Sequence, residues 1–145
     1  METKALAETK SATNVRQAVP FFMVTNIEAS IRYYVDGLGF AMTRHWIDEG
    51  KLKWCWLQQG GAALMLQEYP KEKIPSGKRG DGVAVCFQCS DALAIYHAAA
   101  ARGISAKLPF VGNAMWVVGF SDPDGYKIDF ESPTDVAEET TYSES

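Results

Sequence analysis

At 145 residues the chain is of single-domain length and long enough to bury a core. Its 47% hydrophobic and 22% charged fractions are those of a soluble globular protein, and no run of 18 apolar residues is present to cross a bilayer. The formal net charge of −4 equals that of the last stretch alone, where Asp135, Glu138, Glu139 and Glu144 stand without Lys or Arg; the near-neutral remainder has nothing to steer it toward nucleic acid.

In chain order, residues 1–17 are polar, lack the apolar core of a secretion signal and read as a poorly ordered tail. Val19–Val24 is β-branched and aromatic with Pro20 near its start, an edge or terminal strand. Asn26 is a good helix N-cap, and Ile27, Ile31, Tyr34, Val35 and Leu38 follow at helical spacing until Gly37 and Gly39 stop the helix. Three strands are expected at Ala41–Asp48, Lys51–Gln58 and Ala62–Glu68, with turns at Glu49-Gly50 and Gln59-Gly60-Gly61. Residues 71–81 form a polar linker whose Lys71, Lys73, Lys78 and Arg79 read as a solvated loop, with a lid over a pocket as the alternative. The order then repeats. Gly82–Cys89 is a strand, and Ser90 caps a helix through Arg102 with Leu93, Tyr96 and Ala100 on one face. Gly103 ends that helix, and strands follow near Ala106–Phe110, Ala114–Ser121 and Tyr126–Glu131. Asp122-Pro123-Asp124-Gly125 is a turn, its glycine coming too early for a calcium loop. Residues 133–145 are an acidic, poorly ordered tail.

The two halves match at a constant offset of 64: Gly39 returns as Gly103, Ile31 as Ile95, Gly61 as Gly125, and Trp54 and Trp56 as Val118 and Phe120. Each half is βαβββ, 18–70 and 82–132, a unit too small to bury its own apolar face, so the two must cover each other within one α+β domain over 18–132. Cys55, Cys86 and Cys89 are odd in number and fall in apolar strand-like runs, which fits free thiols in a reducing cytoplasm. Cys86 and Cys89 have C-x-x-C spacing, but residues three apart on a strand face opposite ways, a poor zinc or redox pair.

Two segments carry a family resemblance. Val24-Thr25-Asn26-Ile27-Glu28-Ala29-Ser30-Ile31-Arg32-Tyr33-Tyr34 through Leu38-Gly39-Phe40 is similar to a "V-x-D-x-x-x-S-x-x-F-Y … L-G-F" pattern. Phe120-Ser121-Asp122-Pro123-Asp124-Gly125-Tyr126-Lys127-Ile128-Asp129-Phe130 is similar to "F-x-D-P-D-G-x-x-I-E-L". Both patterns belong to the vicinal oxygen chelate superfamily, which holds glyoxalase I, extradiol dioxygenases and bleomycin-resistance proteins. The resemblance covers roughly 18–132. It implies two βαβββ modules whose curved mixed sheet makes a cup with the helices outside. It also implies a homodimer, often with cavities at the interface.

Metal-dependent members of that family take ligands from the first and last strand of each module, which the resemblance carries onto Val19, Met65, Val83 and Asp129. Val cannot ligate, Met is a soft ligand, and one carboxylate is not a divalent metal site. His45 and His97, the two histidines, lie off the ligand strands. The sequence therefore looks most like the metal-free bleomycin-resistance-type branch, with no cofactor. Strand alternation then nominates cavity residues: Phe21 and Met23 beside Val19, Val85 and Phe87 beside Val83, Ala63 and Gln67 beside Met65, and Lys127 and Glu131 beside Asp129. With Trp54, Trp56 and Trp116 these would form an apolar, aromatic cup for a small, partly aromatic compound, with an antibiotic as one candidate. The opposite face is open as an alternative, with Trp54 and Trp56 in the core and Cys55 and Leu57 lining the cup. Asp129 reads either as an ion-paired surface carboxylate or as a partly buried one that recognises a cation or hydrogen-bond donor. An enzyme of the same superfamily, a lyase, isomerase or dioxygenase, is the alternative function; a metal-independent one would use Asp129 or Glu131 as base. A non-catalytic interaction module is the third.

Overall fold

A computed structural model describes residues 14–144; most of the expected N-terminal tail lies outside them. The elements are β1 (Phe21–Val24), α1 (Ile27–Ile31) continuing as a π-helical turn (Arg32–Gly37), β2 (Ala41–Asp48), β3 (Lys51–Gln59) and β4 (Ala62–Glu68). After a 3-10 turn at Lys71–Lys73 come β5 (Ala84–Gln88), α2 (Ala92–Ala101), β6 (Phe110–Gly112), β7 (Met115–Ser121) and β8 (Lys127–Pro133). They form two four-stranded mixed sheets, ordered β1-β4-β3-β2 and β5-β8-β7-β6. Each sheet has one parallel pair, β1 with β4 and β5 with β8, whose connection runs through the module's helix and its two other strands.

The duplication is real, but its offset is not constant. Asn26 caps α1 by accepting from the Ala29 amide, and Asp91, not Ser90, caps α2 by accepting from the Ala94 amide, so the caps lie 65 apart. From cap to terminating glycine the first helix spends thirteen steps (Asn26 to Gly39) and the second twelve (Asp91 to Gly103). The π turn absorbs the extra residue, with the Leu38 amide donating five residues back to the Tyr33 carbonyl. At β4 and β8 the offset is 64, since Met65 and Asp129 hold matching places. At β3 and β7 it is 63, because Trp56 pairs with Met65 and Gly119 with Asp129. A one-residue slip sends a strand's side chains to the opposite face.

The core lies on the helix-covered faces of both sheets. Val24, Cys55, Leu57, Leu64 and Leu66 of module one and Val118, Phe120, Ile128 and Phe130 of module two join one apolar cluster with Ile27, Tyr34 and Phe40. Phe87 bridges the modules, its ring 5.6 Å from Phe40 and 5.4 Å from Phe130. Polar links reinforce this contact: the Tyr34 hydroxyl donates to Asp122 Oδ2 at 2.7 Å, and the Tyr126 hydroxyl to the Met23 carbonyl at 2.7 Å. Gly37 makes room for the same junction, since a Cβ there would lie 2.7 Å from Ile104 Cγ1.

The C-terminal segment differs from the expected loose tail. Its backbone bonds along β6, with Tyr142 donating to Pro109, Val111 donating to Thr140 and Glu139 donating to Val111. The Glu138 carboxylate caps the Asn113–Ala114 turn, accepting from both amides at 2.8 Å. Tyr142 sits among Tyr96, His97 and Trp116, with its hydroxyl 2.9 Å from His97 Nε2. Apolar and hydrogen-bonded surface at Tyr142 supplies the anchoring that the acidic composition concealed.

Candidate functional site

Each sheet has a face turned away from the helices. On sheet one, the register places Phe21 beside Met65 and Met23 beside Gln67 across β1 and β4, and Trp54 and Trp56 beside Gln67 and Met65 across β3 and β4. Cys55 and Leu57 are fully buried on the other side. Trp54 and Trp56 are therefore on the open face, which resolves the choice of side left by the sequence. Phe21 is 50% exposed. The Arg44 guanidinium lies 4.1 Å from the centroid of the Trp56 ring, and the Trp56 indole N–H donates to Gln58 Oε1 at 2.8 Å. The result is an aromatic and thioether face on which Arg44 and Gln58 orient the Trp56 ring.

On sheet two the open face is small and polar. Cys86 stands beside Asp129 and Gln88 beside Glu131 across β5 and β8, with Gly119 and Val117 next to them on β7. The Cys86 thiol donates to Asp129 Oδ2 at 3.8 Å, a long contact, and Gln88 Nε2 donates to Glu131 Oε1 at 2.8 Å. Burial pushes the Asp129 carboxyl above its ordinary range, with Glu131 adding to the push and Cys86, Lys107 and Lys127 opposing it. The Cys86 thiol is likewise raised, first by burial and then by the Glu131 and Asp129 charges, so it is a poor thiolate. All three cysteines are free; Cys55 is pushed up to about 11 by burial, and Cys89 points its thiol at the Glu131 carbonyl.

Several expected site residues stand elsewhere. Val85 and Phe87 alternate onto the helix-covered face, opposite Ile128 and Phe130; the 65 offset at β5, not 64, is the reason. Trp116 shares that covered face, beside Ser132 on β8, and is closed over by Tyr142 with ring centroids 5.8 Å apart. Val19 and Val83 precede β1 and β5 and do not stand in their ladders; Val83 is 61% exposed. Phe21, Val83, Val85 and Phe87 do come together around a groove of ≈ 600 Å³ between the free edges of β1 and β5. The ladder neighbours of Met65 and Asp129 are thus Phe21 and Cys86. Sequence reasoning missed Cys86, Gln88, Gly119 and Arg44. The two side-chain caps, Asn26 and Asp91, were the signal that could have found Cys86.

A divalent metal of the kind the fold family implies has no matching donor set here. Phe21 offers nothing, Met65 is soft, and Cys86 is a raised thiol beside one carboxylate. Among the described residues no group of three or more His, Cys, Asp or Glu is placed to hold an ion. No described helix is long and apolar enough to cross a membrane.

The fold has many solved counterparts. TnmS3, an antibiotic binding protein from Streptomyces sp. CB03234, superposes with a TM-score of 0.63 at 24% identity over 81% of this chain and 97% of that one. TioX from Micromonospora sp. ML1 gives 0.66 at 17% identity over 82% and 99%. A glyoxalase/bleomycin resistance protein/dioxygenase superfamily member from Sphaerobacter thermophilus DSM 20745 gives 0.62 at 20% over 81% and 97%. No curated protein sequence matches the chain. The family model for the glyoxalase fold matches residues 16–130, nearly the whole of both modules, and the chain belongs to the Glyoxalase/Bleomycin resistance protein/Dioxygenase superfamily.

Proposed function

We propose that this protein captures a small, partly aromatic compound in a cup formed by two copies of the chain, without a metal, and that sequestration of an antibiotic is its role. In this assembly β1 of one copy lies beside β5 of the other, so the Trp54/Trp56 floor faces the Asp129 face across one cavity. The observation that carries the reading is the aromatic open face: Phe21, half exposed, stands with the partly exposed Met23, Trp54, Trp56 and Met65 on the side of sheet one that no helix covers. The free edges of β1 and β5 support the assembly, since unpaired strand edges are ordinarily covered. Strand β2 supports it too: it is exposed along its whole length, with Trp46 52% and Ile47 54% exposed. The antibiotic-binding relative TnmS3 favours this class of ligand. The free thiols support a reducing cytoplasm as its place.

Metal analysis of purified protein, followed by thermal shift with Ni, Zn, Mn and Fe(II), tests the metal-free part. A ligand of the folded state raises the melting temperature by mass action. The expected result is no stoichiometric ion and no shift. A tightly held metal at one per chain would overturn the reading and make a metalloenzyme the leading one.

A further inference from the structure

The two open faces differ most at one pair of equivalent positions. Where β3 carries Trp56 beside Met65, β7 carries Gly119 beside Asp129. The glycine opens a pocket of ≈ 270 Å³ walled by Leu108, Phe110 and Val117, with Lys127 at its side and Asp129 at its floor. A Cβ at Gly119 would stand 3.0 Å from Asp129 Oδ1, so any larger residue would crowd the carboxylate. Leu108 and Phe110 are 55% and 48% exposed, so the pocket has apolar walls open to solvent.

Asp129 is also under-used. A carboxylate offers roughly four lone-pair sites. Among the described residues it makes no ion pair, and its one hydrogen-bond partner is the Cys86 thiol at 3.8 Å, a weak donor. Other buried or half-buried carboxylates are occupied: Asp122 accepts from Tyr34 and two amides, Glu68 from Lys51 and the Ile27 amide, and Glu131 from Gln88. Lys107 and Lys127 flank the pocket but are exposed to solvent. A half-buried acceptor with no strong donor, in a pocket opened by a glycine and walled by apolar side chains, fits a donor that arrives with the ligand.

We propose that this pocket receives the polar end of the ligand: Asp129 accepts from a protonated nitrogen carried on a flat aromatic body, and Gly119 admits that group. The aromatic body then rests on the Trp54/Trp56 floor of the other half-cup. This deepens the small-molecule reading and rests on it. The ligand class becomes a cationic aromatic amine rather than a neutral one.

Tryptophan-fluorescence titration with two tricyclic dyes of one shape, neutral acridine and cationic 9-aminoacridine, tests it at neutral pH. The full-length protein should bind 9-aminoacridine about tenfold tighter than acridine, the ratio a single charge-assisted hydrogen bond supplies. Asp129→Asn should bring the two affinities together by weakening the cationic dye, and Gly119→Ala should weaken the cationic dye more than the neutral one. Melting curves of both variants report folding. Equal binding of the two dyes to the natural protein, or a preference that survives Asp129→Asn, overturns the subsite and leaves the small-molecule reading intact. Failure of both dyes to bind overturns the two together.

Discussion

Tyr34 is fully buried, and its hydroxyl ends on a carboxylate that is itself 5% exposed. Asp122 Oδ1 accepts from the Asp124 and Tyr126 amides, both at 2.9 Å, which leaves Oδ2 for Tyr34. Burial raises the Asp122 carboxyl against the pull of these bonds, and it raises the Tyr34 phenol further, which keeps the phenol as the donor of this bond. Tyr34→Phe keeps the ring packing and orphans one buried oxygen. It should cost about 2 kcal/mol in a urea-denaturation measurement, the range for a charged hydrogen bond lost in the interior. A loss near zero would mean that water replaces the hydroxyl and that the Tyr34–Asp122 bond adds nothing to the link between modules.

At the level of elements, the helix-to-glycine distances and the strand registers decide which residues face away from the helices. The alternation of Cys55 and Leu57 with Trp54 and Trp56 was legible as two faces, but nothing in that stretch says which face a helix covers; α1 lying over β3 and β4 supplies the answer. The second module was misread by one residue at β5 because matching Gly39 to Gly103 hides an extra residue in the π turn of the first helix. Turns and caps with local chemistry, such as Asn26 and Asp122-Pro123-Asp124-Gly125, were readable because their partners lie within a few residues. The C-terminal segment was not, because its partners on β6 and α2 lie 28 to 45 positions away. Tyr142→Ala removes the ring packed against Tyr96, His97 and Trp116. It should lower stability by roughly 2 kcal/mol, less than a fully buried aromatic would cost, as read by denaturant melts; an unchanged midpoint would mean the segment adds no stability to module two.

For the whole molecule, the modules bury their helix-covered faces against each other and leave two open faces of unlike character. One is flat, aromatic and apolar, and the other is small, with a carboxylate over a glycine. A single chain has no second wall for either face, while two copies paired through β1 and β5 would give each floor an opposite number. Such an assembly should sediment at twice the chain mass of 16.0 kDa, and its ligand affinity should fall with dilution below the dimer dissociation constant.

The most direct test is a tryptophan-fluorescence titration of EDTA-treated protein with 9-aminoacridine. The metal-free cup predicts saturable quenching that Trp54→Ala or Trp56→Ala weakens by about tenfold, the loss of roughly one stacking contact. Binding that disappears with EDTA and returns with Ni or Zn, or quenching indifferent to both tryptophan substitutions, would contradict it.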